Sequence, residues 1–373
     1  MSIYCNEIMS ERVKKIFSNL TRECDALVLM NGQEPMLDSS LFYACNLDSG
    51  LFEDCAAVLL PDGQAFLITS QLEESAAKKA EAEVIVYRDA QERAEALKNV
   101  LKGAQQIGVN SRSISHFSMQ HLTKLKEDSE FFDVGTALAK ARMLKDAAEL
   151  EKIQRACDIA SEVADIIPTM ITDGVTEYEV AAEIGYQMQK KGASATSFDT
   201  IAAFGQAAAE PHHTPTDYRL QKTDMSLFDF GCRVSRYCSD ITRTFSPREM
   251  SAKYTKVYET VLEAQRRAIA AIRPGVISAE IDKIARDYID AGEFKGRMIH
   301  SLGHGVGLDV HEGGSFSPRS QIVLEENMVM TVEPGIYLPG WGGVRIEDDV
   351  LVTKNGCRLL THAKKDLAEM KID

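Results

Sequence analysis

The chain has 373 residues, of which 45% are hydrophobic and 26% charged, and its formal net charge is −14 at pH 7. The length exceeds that of one ordinary domain, and the composition is typical of globular proteins. The acidic balance, without any run of lysine or arginine, argues against nucleic-acid partners, which are bound through clustered basic side chains. The sequence has no run of ~18 apolar residues and no signal-like amino terminus, which predicts a cytoplasmic protein without a membrane partner.

The first part of the chain, residues 1–140, is predicted to form a smaller α/β domain. Short strand-like runs such as 25–30 and 55–60 alternate with helical runs such as 91–102. Alternation of this kind is typical of α/β domains. No cluster of catalytic residue types is recognisable in this part, so we expect the active site elsewhere.

The second predicted domain, residues 141–373, begins with a long helical segment. It contains a short internal repeat, in which residues 174–180 match residues 275–281 and each copy begins a helix. Thr176 is the expected N-cap of the first helix, in a capping box, and Ser278 that of the second. The repeat predicts two similar halves with a site at their junction.

Two aspartates lie in a predicted β-hairpin. Residues 225–245 read as two β-rich runs that hold Asp229 and Asp240. If the chain reverses at Val234 and Ser235, the aspartates face each other with Cβ atoms ~5 Å apart. Both carboxylates would then suit a pair of metal ions ~3.5–4 Å apart. Val-Ser is a poor two-residue turn, so a longer or bulged loop remains an alternative.

The segment 300–312 holds three of the eight histidines of the chain, beside several glycines. These histidines are His300, His304 and His311. Glycine allows the backbone to approach a ligand closely, which indicates a binding segment. A solvent-exposed loop with incidental histidines is the alternative.

Two glutamates, Glu333 and Glu347, each lie inside an apolar run that favours a β-strand. In the second run the alternation of apolar and polar residues places Arg345 and Glu347 on one face. A buried ion pair between these two side chains is the alternative to a ligand site.

In this order, the segments resemble the pita-bread metallopeptidases, and in particular the proline-directed branch with Xaa-Pro dipeptidase (prolidase) and aminopeptidase P. The resemblance covers nearly the whole chain. It implies an α+β fold, in which a pita-bread (creatinase/aminopeptidase) catalytic domain with an internal pseudo-twofold repeat follows a smaller α/β creatinase-type N-terminal domain. The matching segments are 197–205, 211–212, 228–231, 239–245, 300–312, 331–337 and 342–350.

The resemblance implies a centre with two divalent metal ions per subunit, bridged by Asp240 and Glu347. Four carboxylates in one cavity need such counter-charge, because two like charges ~4 Å apart repel by about 4 kcal/mol at an effective dielectric near 20. Manganese, cobalt, zinc and iron all suit such ligands, and affinity order alone does not choose among them. The implied ligands are Asp229, Asp240, His304, Glu333 and Glu347.

The resemblance also implies roles in substrate binding and catalysis. Glu333 is expected to act as a ligand and as the proton shuttle to the leaving nitrogen. His300 and His311 are expected to stabilise the oxyanion and the product carboxylate. Arg345 is expected to orient the metal-binding carboxylates. The implied substrate-binding residues are His212, His300, His311 and Arg345.

The predicted activity is hydrolysis of the Xaa-Pro bond in dipeptides or short peptides with a free amino terminus, by a hydroxide shared between the two ions. Proline lacks the N–H that general peptidases read, so this bond needs a dedicated enzyme. The compact length favours a dipeptidase over an aminopeptidase P. Methionine aminopeptidase, a creatinase-like enzyme and a non-catalytic peptide-binding scaffold are less favoured alternatives. A homodimer is implied as well.

Three residues depart from the family pattern, namely Phe204, Glu210 and His213. All three are candidates for lining the substrate entrance. His213 in particular is a candidate for binding the carboxylate of the substrate proline.

Overall fold

The computed structural model describes residues 5–371 of the chain, and the side chains from residue 8 onward. Contacts between Cα atoms divide the chain into two compact units, Met1–Arg142 and Met143–Asp373. Within residues 5–371, no helix combines the length and the apolar composition that a bilayer crossing requires.

The first unit is built on a six-stranded mixed sheet with strand order β4-β3-β2-β1-β5-β6. Strand β1, with the sequence ALVLM, is buried throughout because it lies in the middle of the sheet and is covered on both faces. The elements are α1 (Cys5–Ser18), β1 (Ala26–Met30), α2 (Ser39–Cys45), β2 (Ala56–Leu59), β3 (Ala65–Ser70), α3 (Glu74–Ala77), β4 (Glu83–Tyr87), α4 (Ala90–Val100), β5 (Gln106–Val109), α5 (His116–Leu125), β6 (Glu130–Asp133) and α6 (Gly135–Met143).

The second unit contains four long helices that pack on several small antiparallel sheets. Its helices are α7 (Ala147–Ile166), α8 (Glu177–Lys190), α9 (Ala252–Ala271) and α10 (Ser278–Asp290), with 3₁₀ helices at Ile167–Thr169, Gly205–Ala209 and Leu367–Glu369. Its strands are β7 (Ala195–Thr196), β8 (Ile201–Phe204), β9 (Ser226–Phe230), β10 (Cys232–Val234), β11 (Tyr237–Cys238), β12 (Ile241–Phe245), β13 (Gly303–Gly305), β14 (Glu312–Phe316), β15 (Val329–Val332), β16 (Gly335–Leu338), β17 (Gly342–Arg345), β18 (Asp348–Thr353) and β19 (Gly356–Leu359).

The sheets of this unit have strand orders β12-β9-β8, β11-β10-β7, β14-β13-β15-β18-β19 and β16-β17. Helix α7 packs against α8, and α9 against α10, so that the helices form two pairs. One continuous hydrophobic core joins their apolar faces to the sheets. The two helix pairs and their sheets supply the two halves that the sequence repeat indicates.

The helices of the repeat, α8 and α10, begin differently. Thr176 accepts the backbone N–H of Glu179 and its own N–H donates to the Glu179 carboxylate, so the predicted capping box is confirmed. The prediction for Ser278 is wrong, because the helix begins at this residue and Ile277 is its N-cap. The Ser278 hydroxyl is instead 2.7 Å from the hydroxyl of Ser320, which explains why it does not cap the helix.

The predicted hairpin exists, but its register differs from the prediction. The turn residues are Ser235 and Arg236, with φ of 47° and 73°. Positive φ at both central residues is the mark of the type I′ turn that joins tightly paired strands. Asp229 therefore faces Thr242, so the prediction that it faces Asp240 is wrong. The partner changes by two residues, which keeps both aspartates on the same face of the hairpin.

Candidate metal centre

A cavity of about 470 Å³ in the second unit brings all the predicted site residues together. Apolar side chains, among them Phe198, Ile201 and Val310, line the same cavity. A concave pocket with convergent polar groups and apolar walls is typical of a small-molecule site. The predicted residues that line it are His212, Asp229, Asp240, His300, His304, His311, Glu333, Arg345 and Glu347.

Close approach of strands brings the ligand candidates to the cavity. His304 is the central residue of β13, and the N–H of Glu333, just after β15, donates to the carbonyl of Leu302. A Cβ atom at Gly303 would lie 2.1 Å from the carbonyl oxygen of Thr331, so only glycine permits this approach. In the hairpin, a Cβ atom at Gly231 would lie 1.8 Å from the carbonyl oxygen of Ser239. Gly231 and Gly303 therefore allow close packing of the strands that carry the ligand candidates.

The tightest cluster consists of Asp240, His304 and Glu347, whose potential ligand atoms all lie within 4.8 Å of one another. Nε2 of His304 is 3.6 Å from Oδ2 of Asp240 and 3.5 Å from Oε1 of Glu333. Its Nδ1 is 3.2 Å from the carbonyl oxygen of Gly305 and donates to it, which leaves the lone pair of Nε2 facing the carboxylates. Burial lowers the pKa of His304 to about 4, so the imidazole is neutral at pH 7. The neutral ring is the form that binds a metal ion.

Three carboxylate oxygens in the cavity are buried without a hydrogen-bond partner among the described residues. They are Oδ1 of Asp229, Oδ1 of Asp240 and Oε1 of Glu347. Leaving a buried polar atom unpaired costs about 1–3 kcal/mol, and more when it is charged. In two of these carboxylates the second oxygen is held by a hydrogen bond. Oδ2 of Asp229 accepts from Nη2 of Arg345 at 2.6 Å, and Oε2 of Glu347 accepts from the hydroxyl of Thr242 at 2.6 Å. Carboxylates held on one side and free on the other fit cation ligands.

The pKa values of the cavity carboxyl groups also indicate a cation site. Burial, followed by the charges of Glu347 and Asp229, raises the pKa of Asp240 well above its usual range. Burial and the charges of Glu333 and Asp229 do the same for Glu347, and burial raises the pKa of Glu333 to about 8. Without cations, these carboxyl groups hold protons at neutral pH. Divalent ions would replace those protons, and the donor set of carboxylate oxygens with one imidazole fits such ions.

Arg345 is a buried side chain that lines the cavity and donates hydrogen bonds to several residues around it. Its Nε donates to Oγ1 of Thr242 at 3.1 Å, and its Nη1 to the hydroxyl of Tyr337 at 2.9 Å. Its Nη2 donates to Asp229 and lies 3.5 Å from the carbonyl oxygen of Pro211. Each of the three guanidinium nitrogens is thus engaged within the protein. This geometry suits the orienting role better than direct contact with a substrate.

Sequence reasoning assigned no role to Tyr337, although the residue ends the matching segment 331–337. Nδ1 of His300 is 2.7 Å from the carbonyl oxygen of Ser301, and Nε2 is 2.8 Å from the hydroxyl of Tyr337. Because a carbonyl only accepts, Nδ1 carries the proton and Nε2 accepts from the tyrosine hydroxyl. Burial, together with the charge of Arg345, lowers the pKa of His300 to about 4. His300 is therefore a neutral ring with both nitrogens engaged.

His311 lies beside His304, with ring centroids 4.2 Å apart and planes inclined by 62°. The next residue, Glu312, accepts the N–H of Leu308 at 2.8 Å and the ammonium of Lys145 at 3.1 Å. Both side chains of this ion pair are almost fully buried. The pair fixes the segment that ends in His311, and sequence reasoning did not assign it.

Behind the cavity, Arg243 supports the backbone of the ligand residues. Its guanidinium donates to the carbonyl of Glu347 at 2.6 Å and to Oδ1 of Asp348 at 2.8 Å. On the other side, Oδ2 of Asp349 accepts the N–H of Asp240 at 2.9 Å. These bonds hold two of the ligand candidates through their main chains.

Replacing Arg243 with alanine should therefore lower the free energy of unfolding by about 3–5 kcal/mol, as expected when one partner of a buried ion pair is removed. The measurement is urea denaturation in the presence of a chelator, so that metal binding does not contribute. Arg266→Ala is the matched control, because the pair of Arg266 with Asp366 is about half exposed, against 1% for Arg243 with Asp348. The control should cost less than about 1 kcal/mol, and equal losses would contradict the supporting role.

The three departures from the family pattern do not form the substrate entrance as a group. Phe204 is buried in the core and packs edge-on against Phe228, with centroids 6.1 Å apart. His213 is 11% exposed and its Nε2 is 2.9 Å from Oε2 of Glu177, so it does not bind a substrate carboxylate. Glu210 is an exposed side chain 3.5 Å from Nδ1 of His213. The entrance hypothesis is wrong for Phe204 and His213, because both are used in packing and anchoring.

Comparison with known proteins gives matches over both units. Residues 151–354 match the model of metallopeptidase family M24, and residues 11–144 match the creatinase/prolidase N-terminal domain. An Xaa-Pro dipeptidase of Pyrococcus furiosus is 38% identical over 311 residues, which are 83% of this chain and 88% of the relative. The structure of an Xaa-Pro dipeptidase from Bacillus anthracis is similar with a TM-score of 0.88 and 34% identity, covering 96% of this chain and 99% of the other. An X-Pro aminopeptidase from Thermotoga maritima has a TM-score of 0.86 and 34% identity, covering 92% and 97%.

Proposed function

Because this chain belongs to metallopeptidase family M24, we propose that it is a dipeptidase that hydrolyses the bond preceding proline in Xaa-Pro dipeptides. The fold prediction is confirmed, since the pita-bread domain follows a creatinase-type N-terminal domain. The observation that carries the proposal is the convergence of four carboxylates and one imidazole in one cavity, three of them with unpaired buried oxygens. Relatives named for Xaa-Pro cleavage support the choice of substrate.

We propose Asp229, Asp240, His304, Glu333 and Glu347 as the ligands of two divalent ions per subunit. When bound, such ions polarise a carbonyl group and lower the pKa of water enough to supply a nucleophile at neutral pH. The protein fixes the orientation of the ligands beforehand, through Arg345 on Asp229 and Thr242 on Glu347. This preorganisation is the contribution that the described residues make on their own.

The polar side chains of the cavity are proposed to have different roles in substrate binding and proton transfer. Glu333 lines the cavity with its Oε1 3.5 Å from Nε2 of His304, and it is the proposed proton shuttle to the leaving nitrogen, a role that a carboxyl group beside the reacting bond can fill. The ring nitrogens of His212 and His311 form no hydrogen bond among the described residues and are free to contact the substrate. His300 has both nitrogens engaged, so we assign it to holding Tyr337 and Arg345 rather than to donating a proton.

The second candidate is removal of the first residue from longer Xaa-Pro peptides, because one structural relative is named an X-Pro aminopeptidase. A homodimer, a cytoplasmic location and the domain limits 1–140 and 141–373 stay predictions from the sequence and the resemblance.

The proposal predicts cleavage of Ala-Pro by protein that has been stripped with a chelator and resupplied with manganese or cobalt. Ala-Pro-Ala and Met-Ala-Ser are assayed beside it under the same conditions. Cleavage restricted to Ala-Pro establishes the dipeptidase, whereas efficient cleavage of Ala-Pro-Ala establishes the aminopeptidase. Turnover of Met-Ala-Ser alone, or of none of the three by metal-loaded protein, would contradict an Xaa-Pro specificity.

A further inference from the structure

A buried carboxylate outside the cavity accepts hydrogen bonds from two other parts of the chain. Glu177, the first residue of α8, is fully buried. Its Oε1 accepts the N–H of Phe204 at 2.8 Å. Its Oε2 accepts from Nε2 of His213 at 2.9 Å, from the N–H of Thr216 at 2.9 Å and from the hydroxyl of Thr216 at 2.7 Å. Glu177 thus joins the start of α8, the end of β8 and the segment that follows Pro211.

Within the described residues, His213 is the one cation-forming side chain that pairs with Glu177. Buried carboxylates are tolerated when they are paired and fully hydrogen-bonded, and removing one partner is costly. Loss of the contact would leave the segment held to the Glu177 carboxylate by Thr216 alone, so we expect the part that carries His213 to loosen. The sequence signal for it is the second histidine of the pair His212-His213, where the family pattern has a small residue.

Two neighbouring histidines point in opposite directions from this segment. His212 is exposed and lines the cavity, whereas His213 turns away from it towards Glu177. On the other side of His212, the carbonyl oxygen of Pro211 lies 3.5 Å from Nη2 of Arg345. The residue that faces the cavity thus stands between two anchored neighbours, one held by Arg345 and the other by Glu177.

We propose that His213 is a positioning residue, which acts through Glu177 to hold the His212 imidazole in place for the substrate. The proposal rests on the proposed function for the identity of the substrate. His213 itself contacts neither the substrate nor the ligand candidates. Its effect on activity must pass through His212, and this requirement makes the proposal testable.

The other half of the unit has a comparable clamp on the second helix of the repeat. On α10, Arg286 donates to the carbonyls of Met298 at 2.7 Å and His300 at 2.9 Å. Asp282 pairs with Arg286 and accepts the N–H of Leu302 at 3.1 Å. Each repeat helix therefore holds a histidine-bearing segment through a buried acid. Residues 298–302, which the α10 clamp holds, therefore serve as an internal reference. Substitutions at His213 should not affect them.

The first test is a double-mutant cycle on kcat/KM for Ala-Pro. His213→Gln keeps an N–H near the position of Nε2, whereas His213→Asn has its amide too far from Glu177, so the two variants are a matched pair. We expect His213→Asn to lower kcat/KM by about 10-fold to 100-fold, the range for misplacement of a binding group by roughly 1 Å, mainly through KM. His213→Gln should stay within about 3-fold of the wild type.

The combination with His212→Ala decides whether the effect passes through His212. If it does, His212→Ala with His213→Asn should lose no more than about twofold beyond His212→Ala alone. Independent, multiplicative losses would overturn the proposal, as would equal activity of His213→Gln and His213→Asn. Glu210→Ala removes an exposed carboxylate that lies beside Nδ1 of His213 and is not among the residues that line the cavity, so this variant is expected to retain the wild-type kcat/KM.

The second test does not depend on activity. Hydrogen exchange measured by mass spectrometry should be faster over residues 204–218 in His213→Asn than in His213→Gln, and unchanged over residues 298–302. Equal exchange over residues 204–218 would overturn the proposal. If the wild type cleaves no Xaa-Pro peptide, the proposed function fails, and the hydrogen-exchange result alone decides whether His213 holds this segment in place. If it cleaves Ala-Pro but the cycle is multiplicative, the positioning role fails and the proposed function stands.

Discussion

Replacing Glu347 with glutamine should abolish most of the peptidase activity together with metal binding. Its Oε2 accepts from the hydroxyl of Thr242 at 2.6 Å, and glutamine can keep this bond with its own carbonyl oxygen. The amide NH₂ then occupies the place of Oε1, the buried oxygen without a partner, and cannot bind a cation. Metal ions stabilise the transition state of hydrolysis by several kcal/mol, and loss of this stabilisation corresponds to a fall in kcat of about 10³-fold or more.

The measurement is kcat for Ala-Pro beside metal content by elemental analysis. His311→Ala is the matched comparison, because His311 lines the same cavity but is not among the proposed ligands. We expect this variant to lose turnover while it retains its metal. Wild-type metal content and turnover in Glu347→Gln would remove Glu347 from the ligand set, and a parallel loss of metal and turnover in His311→Ala would make His311 structural.

The ligand set followed from the family resemblance, and the local sequence marked the segments that carry it without deciding their role. Glu333 and Glu347 are carboxylates within apolar strand-like runs, and His304 stands among glycines. The structure brings all of these side chains to one cavity. Burial of charged groups is expensive, so a carboxylate in an apolar run indicates either a site or a buried ion pair, and the resemblance was needed to choose between the two.

The hairpin register was not predictable from turn chemistry. Ser235 and Arg236 both adopt positive φ, which turns usually reserve for glycine, asparagine or aspartate, so the sequence carries no signal at this place. The error moved the partner of Asp229 by two residues. Because side chains alternate with a period of two, the predicted face of the hairpin survived although the predicted pair did not.

The supporting contacts were missed for a different reason. Lys145 with Glu312, and Glu177 with His213, are buried pairs between segments that are remote in the sequence. Periodicity and capping patterns report local structure, and neither says which distant acid a buried base will meet. Tyr337 lies inside the matching segment 331–337, but its contact with His300 depends on the packing of β16 against the segment that precedes β13.

The metal-free protein is expected to lose stability as the pH rises from about 5 to 8. Burial raises the pKa of Glu333 from its ordinary value of 4.5 to about 8, and burial also raises the pKa values of Asp240 and Glu347 well above their usual range. At these three carboxyl groups the folded state therefore holds more protons than the unfolded state above pH 4.5. These groups outnumber His300 and His304, whose lowered pKa values of about 4 act in the opposite direction below pH 6.5. A group whose folded pKa is raised contributes stability below its unfolded pKa and loses it as the pH rises through the folded value. The midpoint of thermal unfolding in chelator should accordingly fall between these pH values.

Metal binding should show the opposite dependence, because cations compete with the same protons. Affinity for manganese should rise between pH 6 and 8, and calorimetric titration in two buffers of different ionisation enthalpy should reveal protons released on binding. Glu333→Gln is the control for the stability measurement in chelator, since it cannot titrate and should flatten the part of the dependence of the unfolding midpoint on pH that Glu333 contributes. A midpoint in chelator that stays level or rises with pH, or metal binding without proton release at pH 7, would show that the cavity carboxylates are already ionised before cations arrive.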